Sequence, residues 1–485
     1  MTQRTDIQPA ALVFFPHNPY PPKTGAHWRC LTVLTALKTL GYRITLLGTD
    51  LFSDHPWPVD DRAALQTLQA ALDVQVEVYQ GTAFERFLAV RFSALSDRRY
   101  WDSYTPLGLR QQFRQVFRKL QPSVVVVNYG FWGELAIGQE FRTACRLIDT
   151  IDLCTLNRRM RLALQGYIKT LPLDPNQLAP PALDESCYQQ LGLEADPIEY
   201  HILDQFDYTI AIAPAEADLI RRHTQHTQVA YLPMVATVPP VSNTYSGQPI
   251  FAIGGNPFNL QGYAYFALRI LPLVRSRLPQ FQLQVVGSAC REVFPAEGIN
   301  LTGFVPDLTP VYADSPFAIC PLIGGTGQQT KIVEAMAHGV PVIALRNVAA
   351  SSPIQHGVNG LIADQAEDFA DYVVELYNNR ARCRQLGAAA RQTIAEQFSQ
   401  ATLTHNLQQL LDQFGQSPVS RSLTLSSVQS DASQQITLQI TLWWRWIGYW
   451  AWSYLPFLAQ QHGRQLLKHL LPSSLAQRLK AAIGR

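Results

Sequence analysis

Acidic residues run out at Asp431. The 54 residues that follow contain none, while Arg445, Arg464, Lys468, Arg478, Lys480 and Arg485 are basic. The 39 Lys+Arg and 37 Asp+Glu of this 485-residue chain give a formal charge of +2. That near-balance conceals a body of −4 and a tail of +6. Such a body offers no strongly basic face, so no nucleic-acid partner is expected. Cysteine is scarce: seven residues (30, 145, 154, 187, 290, 320 and 383), widely spaced and without a C-x-x-C pair. This argues against a zinc site or a disulfide framework and for buried free thiols in a reducing compartment. No D-x-D and no histidine cluster at ligand spacing occurs, so neither a metal nor another cofactor is expected. The absence of G-x-x-x-x-G-K-[ST] excludes a P-loop. The first eight residues carry no apolar h-region, and no secretory leader is expected.

Short apolar runs alternating with amphipathic stretches make up most of the chain. Ala11–Phe15, Ile44–Leu47, Val74–Val78, Val124–Val127, Arg146–Ile148 and Tyr208–Ile212 read as strands. The unbroken Val124-Val-Val-Val127 is the pattern of a strand covered by helices on both faces. The Pro/Ser-rich stretch from Val238 to Pro249 reads as a linker, after which the alternation restarts with Ile250–Ile253, Leu283–Val286, Phe317–Cys320 and Val340–Ala344. The expected architecture is α/β, with two doubly wound Rossmann-like domains facing across a cleft and an amphipathic helical tail. The boundaries fall at 1–237, 248–415, a Ser/Gln-rich linker at 416–435, and the tail at 436–485.

The most specific stretch is Pro321-Leu-Ile-Gly-Gly-Thr-Gly-Gln-Gln-Thr-Lys-Ile-Val-Glu-Ala-Met-Ala-His-Gly-Val-Pro341. It reads as a strand end, a glycine-rich loop and a helix. Glycines let backbone approach an anion closely, and a helix N-terminus presents unpaired N–H groups to it. Lys331, near the helix start, is placed to pair with a phosphate. Glu334, close to one turn on, can face the same site and accept from hydroxyls. As a G-x-G-x-x-G the loop is defective and is not the first βα turn, which disfavours a dinucleotide site. A tight βα turn bearing a surface ion pair is the plainer alternative.

This stretch resembles the P-L-x-x-G-x-G-x-x-x-K-x-x-E-A-M-A-x-G-x-P-V motif of retaining GT-B glycosyltransferases, especially family 4. Phe251–Asn259, Val286-Gly287, Thr302–Leu308, Pro19–Arg29 and Arg146–Asp152 resemble other segments of that family. The resemblance implies hexosyl transfer from a nucleotide-sugar donor, metal-independent and with retention, to a lipid-linked or glycan acceptor. It implies that Lys331 neutralises the leaving diphosphate and that Glu334 binds the ribose. Gly25, Gly255, Asn256, Gly324, Gly325, Thr326 and Gly327 would make the remaining donor contacts. Two departures matter. The first carboxylate of the family's E-x7-E pair is Thr326 here, and the histidine of its D-T-H-D segment is Ile151. Asp149 and Asp152 remain candidates for orienting the acceptor, or else cap the strand end. His17 and His27 flank the first loop in packing or catalytic roles. Two alternatives stay open: a GT-B sugar-nucleotide epimerase, which needs acid/base groups in the cleft, and, because of Ile151, a non-catalytic relative that binds glycans or scaffolds a complex at the membrane.

The segment from Arg158-Arg-Met-Arg161 to Leu183 reads as a solvated basic loop or as a contact for a phosphate-bearing acceptor. In the tail, Trp443, Trp444, Trp446, Trp450 and Trp452 surround Arg445, and Pro456 follows. Tryptophan favours the membrane interface, and an arginine at mid-span costs roughly 2.5–3.5 kcal/mol. The expectation is therefore peripheral binding to the cytoplasmic face of a membrane, with a single span and a packed docking helix as alternatives.

Overall fold

The computed structural model describes residues 8–51, 55–83, 85–86, 104–240 and 242–416. The tail and its five tryptophans lie outside the described residues.

The first sheet contains seven parallel strands: β1 (Ala10–Phe14), β2 (Arg43–Thr49), β3 (Gln75–Tyr79), β4 (Val124–Asn128), β5 (Cys145–Asp149), β6 (Tyr208–Ala211) and β7 (Gln228–Tyr231). Their spatial order is β3-β2-β1-β4-β5-β6-β7. Side chains of β1 alternate between two cores: Leu12 and Phe14 join one cluster, Ala11 and Val13 the other. Val125 and Val127 divide from Val124 and Val126 in the same way, as covering by helices on both faces requires. Helix α1 (Gly25–Thr39) starts on Thr24, whose hydroxyl accepts from His27 N. Helices α2 (Arg62–Leu72) and α3 (Leu107–Leu120) follow β2 and β3.

The second sheet has six parallel strands in the order β10-β9-β8-β11-β12-β13. These are β8 (Ile250–Ala252), β9 (Leu283–Val286), β10 (Ile299–Gly303), β11 (Ala318–Cys320), β12 (Val342–Leu345) and β13 (Gly360–Ala363). The expected pair of Rossmann-like sheets is present. The strands missing from the sequence reading, β7, β10 and β13, are all edge strands. β7 and β10 are largely unburied and lack the continuous apolar run that marked their neighbours.

Two segments pack on the sheet other than the one that precedes them in the chain. The supposed basic loop is helix α4 (Cys154–Tyr167) followed by short turns, and it leaves the first sheet to pack on the second domain. Met160, Leu164, Leu173 and Tyr188 belong to the core cluster of the second sheet. Leu173 N donates to Glu292 O at 2.8 Å, and Tyr188 Oη donates to Gln261 Oε1 at 2.8 Å. The final helix, Gln400–Gln416, was assigned to the second domain but returns to the first. Leu403 and Leu407 enter the core around α1, and Gln400 Nε2 donates to Thr32 O at 3.0 Å. An apolar face shows that a helix is covered without showing by which domain.

Inside α1, Arg29 is fully buried. Its Nε donates to Asp149 Oδ2 at 2.7 Å and its Nη1 to Pro233 O at 2.9 Å, tying α1 to the ends of β5 and β7. Removing one partner of a buried pair strands the other charge, at a cost of about 3–5 kcal/mol. Arg29→Leu is therefore expected to lose about that much stability in urea titration, and Arg29→Leu/Asp149→Leu to recover much of it.

Candidate active site

Lys331 lies in the first turn of α9, counted after α5 (Pro197–Leu203), α6 (Pro214–His223), α7 (Pro257–Tyr265) and α8 (Leu271–Arg277); α9 itself spans Thr330–Ala337. Its N-cap, Gln329, makes no side-chain cap, so the helix start keeps its N–H groups and partial positive charge for an anion. Lys331 Nζ donates to Asn259 Oδ1 at 2.8 Å, and a Cβ built on Gly254 would lie 3.6 Å from that ammonium. The charge thus sits directly beneath the loop after β8. Burial lowers the Lys331 pKa to about 8, an effect partly offset by Cys320 and Glu334. Burial raises the Glu334 carboxyl, and Lys331 opposes the shift. Lys331 and Glu334 are within electrostatic reach of each other, as their helical spacing predicts. In the same loop, Asn256 caps α7 by accepting from Phe258 N, while Gly255 faces open space.

The glycine loop runs along the seam between the domains, and residues before 240 meet it at positions 324, 326, 327 and 328. A Cβ on Gly324 would stand 2.0 Å from Tyr188 Cε2, so only glycine fits there. Thr326 Oγ1 accepts from Asn157 Nδ2. Gly327, at φ 67°, donates its N–H to Glu216 Oε1 at 2.6 Å. Gln328 Oε1 accepts from Met234 N at 2.8 Å. A Cβ on Gly25 would lie 3.4 Å from Met234 and 4.0 Å from Thr330. Backbone groups of Gly325, Thr326 and Gly327 were expected to face a donor. The Gly327 amide instead serves the facing domain, because Glu216 reaches across the seam. Glu216, Asn157, Tyr188 and Asn259 were missed: Glu216 reads as an ordinary first-turn acid, and nothing in sequence spacing places it on a loop 111 residues away.

Asp149 neutralises Arg29 out of contact with solvent, and its Oδ1 accepts from Ile151 N at 3.4 Å, in keeping with the strand-end alternative. Asp152 does reach the seam. The preceding Ile151 has φ 56°, a left-handed conformation rare for a β-branched residue, and so turns Asp152 toward the glycine loop. Asp152 Oδ2 accepts from Asn157 Nδ2 at 3.0 Å, and burial raises its pKa to about 6. Behind it, Glu199 of α5 caps α4 in place of the side-chain cap that Leu153 lacks. It accepts from Cys154 N at 2.9 Å and Thr155 N at 3.0 Å. Among the basic residues of α4, Arg159 is paired with Asp196 and Glu194 O, whereas Arg161 is exposed and acts electrostatically on Asp152. His27 is buried, its Nδ1 accepts from Lys23 N at 3.1 Å, and burial lowers its pKa to about 4, consistent with packing as a neutral ring.

Burial raises the Glu199 pKa to about 7. The folded state therefore holds this proton more tightly than the unfolded chain, and its stabilising effect is complete below pH 4.5 and lost as pH rises through 7. Relative to wild type, Glu199→Gln should gain on the order of 1–3 kcal/mol between those pH values in chemical denaturation.

The family model "Glycosyl transferases group 1" matches residues 248–379. The GDP-mannose-dependent alpha-(1-6)-phosphatidylinositol monomannoside mannosyltransferase of Mycobacterium tuberculosis is 31% identical over 161 residues, 29% of this chain and 42% of that protein. The chain thus spans less than half the length of this curated relative. Sucrose-phosphate synthase from Thermosynechococcus elongatus superposes with a TM-score of 0.54 at 16% identity, covering 84% of this chain and 99% of that one. A mutant of S. aureus TarM, in complex with Fondaparinux, alpha-GlcNAc-glycerol and UDP, gives 0.52 at 10% identity, covering 83% and 100%. Residues 248–379 thus match the glycosyl transferases group 1 model, within a chain whose two-sheet fold is that of GT-B structures.

Proposed function

We propose that this protein is a glycosyltransferase that moves a hexosyl group from a nucleotide-sugar donor to a lipid-linked or glycan acceptor. The observation that carries this reading is the partly buried Lys331 ammonium, held by Asn259 beneath the β8 loop, at the uncapped start of α9. Departure of a nucleoside diphosphate places negative charge there, and a preorganised cation with helix amides stabilises it without a metal ion. Glu334 accepts from the donor ribose. Retention of configuration is part of the proposal through the family 4 resemblance. The printed name of the mycobacterial relative makes GDP-mannose the first donor to try.

Lys331→Ala and Glu334→Ala should each lower transfer or donor hydrolysis by about 10²–10³-fold, the usual effect of removing a preorganised stabilising group. Unchanged turnover in both would defeat the assignment. Because Lys331 titrates at about 8, kcat/KM for the donor should fall as pH rises through that value and the ammonium is lost. Lys331→Arg, which stays charged, should abolish that fall even where its maximum is lower.

The tail completes the proposal. Its interfacial tryptophans and six basic residues fit an anionic membrane surface, where a lipid-linked acceptor would be met. A chain ending at Gln416 should lose co-sedimentation with vesicles containing anionic lipid. Equal binding by the truncated and full chains would refute the anchor.

A further inference from the structure

The first domain brings two carboxyl groups onto the glycine loop that the proposed donor site leaves unused. Glu216 is the third residue of α6, whose N-cap is Ala213. A glutamate there ordinarily turns back to its own N-cap. Here Oε1 crosses the seam to Gly327 N, while Oε2 is buried with no hydrogen-bond partner, in a residue only 4% exposed. Asp152 meets Thr326 and Asn157, and its Oδ1 is likewise buried and unmatched. Two unmatched carboxyl oxygens at one spot carry a free-energy cost that a bound hydroxyl removes. Burial raises both groups above the usual carboxylate range, and the charge of Asp152 raises Glu216 further. A proton retained by this pair near neutrality lets it both donate to and accept from a hydroxyl.

The loop they touch is the one that lacks a carboxylate. Thr326 stands eight residues before Glu334, where many family 4 transferases carry the first glutamate of their pair. We propose that Asp152 and Glu216, reaching from the first domain onto Thr326 and Gly327, bind hydroxyls of the transferred sugar and supply in space the carboxyl function absent from position 326. The inference rests on the donor-site reading and assigns the sugar end of the same site.

Calorimetric titration of the full chain with GDP, GDP-mannose, UDP and UDP-glucose tests it. Glu216→Gln and Asp152→Asn keep size and an acceptor oxygen but lose the carboxyl function. In each, affinity for the nucleoside diphosphate should stay within about twofold of wild type, while affinity for the matching nucleotide sugar falls about tenfold. Loss of both affinities together would mean that the carboxyls only brace the loop, and loss of neither that they do not touch sugar; either overturns the inference. Tighter nucleoside diphosphate binding by Glu216→Ala would mean that the carboxylate merely occupies the Gly327 amide, which also overturns it. A wild-type chain that binds none of the four ligands removes the donor-site reading and this inference with it.

Discussion

The seam along residues 324–330 is the constraint on which the site depends. This loop ends β11 and starts α9, so it fixes where Lys331 and Glu334 point. It is held in turn by Asn157 and Tyr188 of the segment that crosses to the second domain and by Glu216 and Met234 of the first. Tyr188, Asn157 and Glu216 act on backbone or on a short side chain, Met234 N donates to the Gln328 side chain, and Gly324 and Gly327 permit the close approach. The site is therefore a joint product of two sheets. The second contributes the cation and the uncapped helix, and the first contributes the surface that positions the loop.

Support for that seam comes from features with no catalytic chemistry of their own. The buried Arg29–Asp149 pair fixes α1 against the sheet, and with it the approach of Gly25 to Met234 and Thr330. Glu199 caps α4, the helix that carries Asn157 and Met160 to the loop. The strained turn at Ile151 is a cost of order 1–3 kcal/mol that this packing sustains, and it directs Asp152 into the seam.

Much of this was legible in the sequence where the signal is local. Central strands announce themselves by unbroken apolar runs, and the spacing of Lys331 and Glu334 along α9 follows from the helical period. What escaped is what tertiary contact decides. Arg29 looks like a polar residue on an amphipathic helix until its buried partner is found. Residues 158–183 read as a basic loop because their apolar positions match a core belonging to the other domain. The edge strands β7 and β10 lack the burial, and with it the apolar pattern, of the central strands. Glu216 had an ordinary capping position and an extraordinary partner, and no periodicity reports the second.

The central claim is that a nucleoside diphosphate sits between Lys331 and the start of α9. A structure of the protein with GDP or UDP tests it most directly. The account predicts phosphate oxygens within about 3 Å of Lys331 Nζ and of first-turn amides of α9, with the ribose on Glu334. A diphosphate bound away from Lys331, with that ammonium still on Asn259, would contradict it.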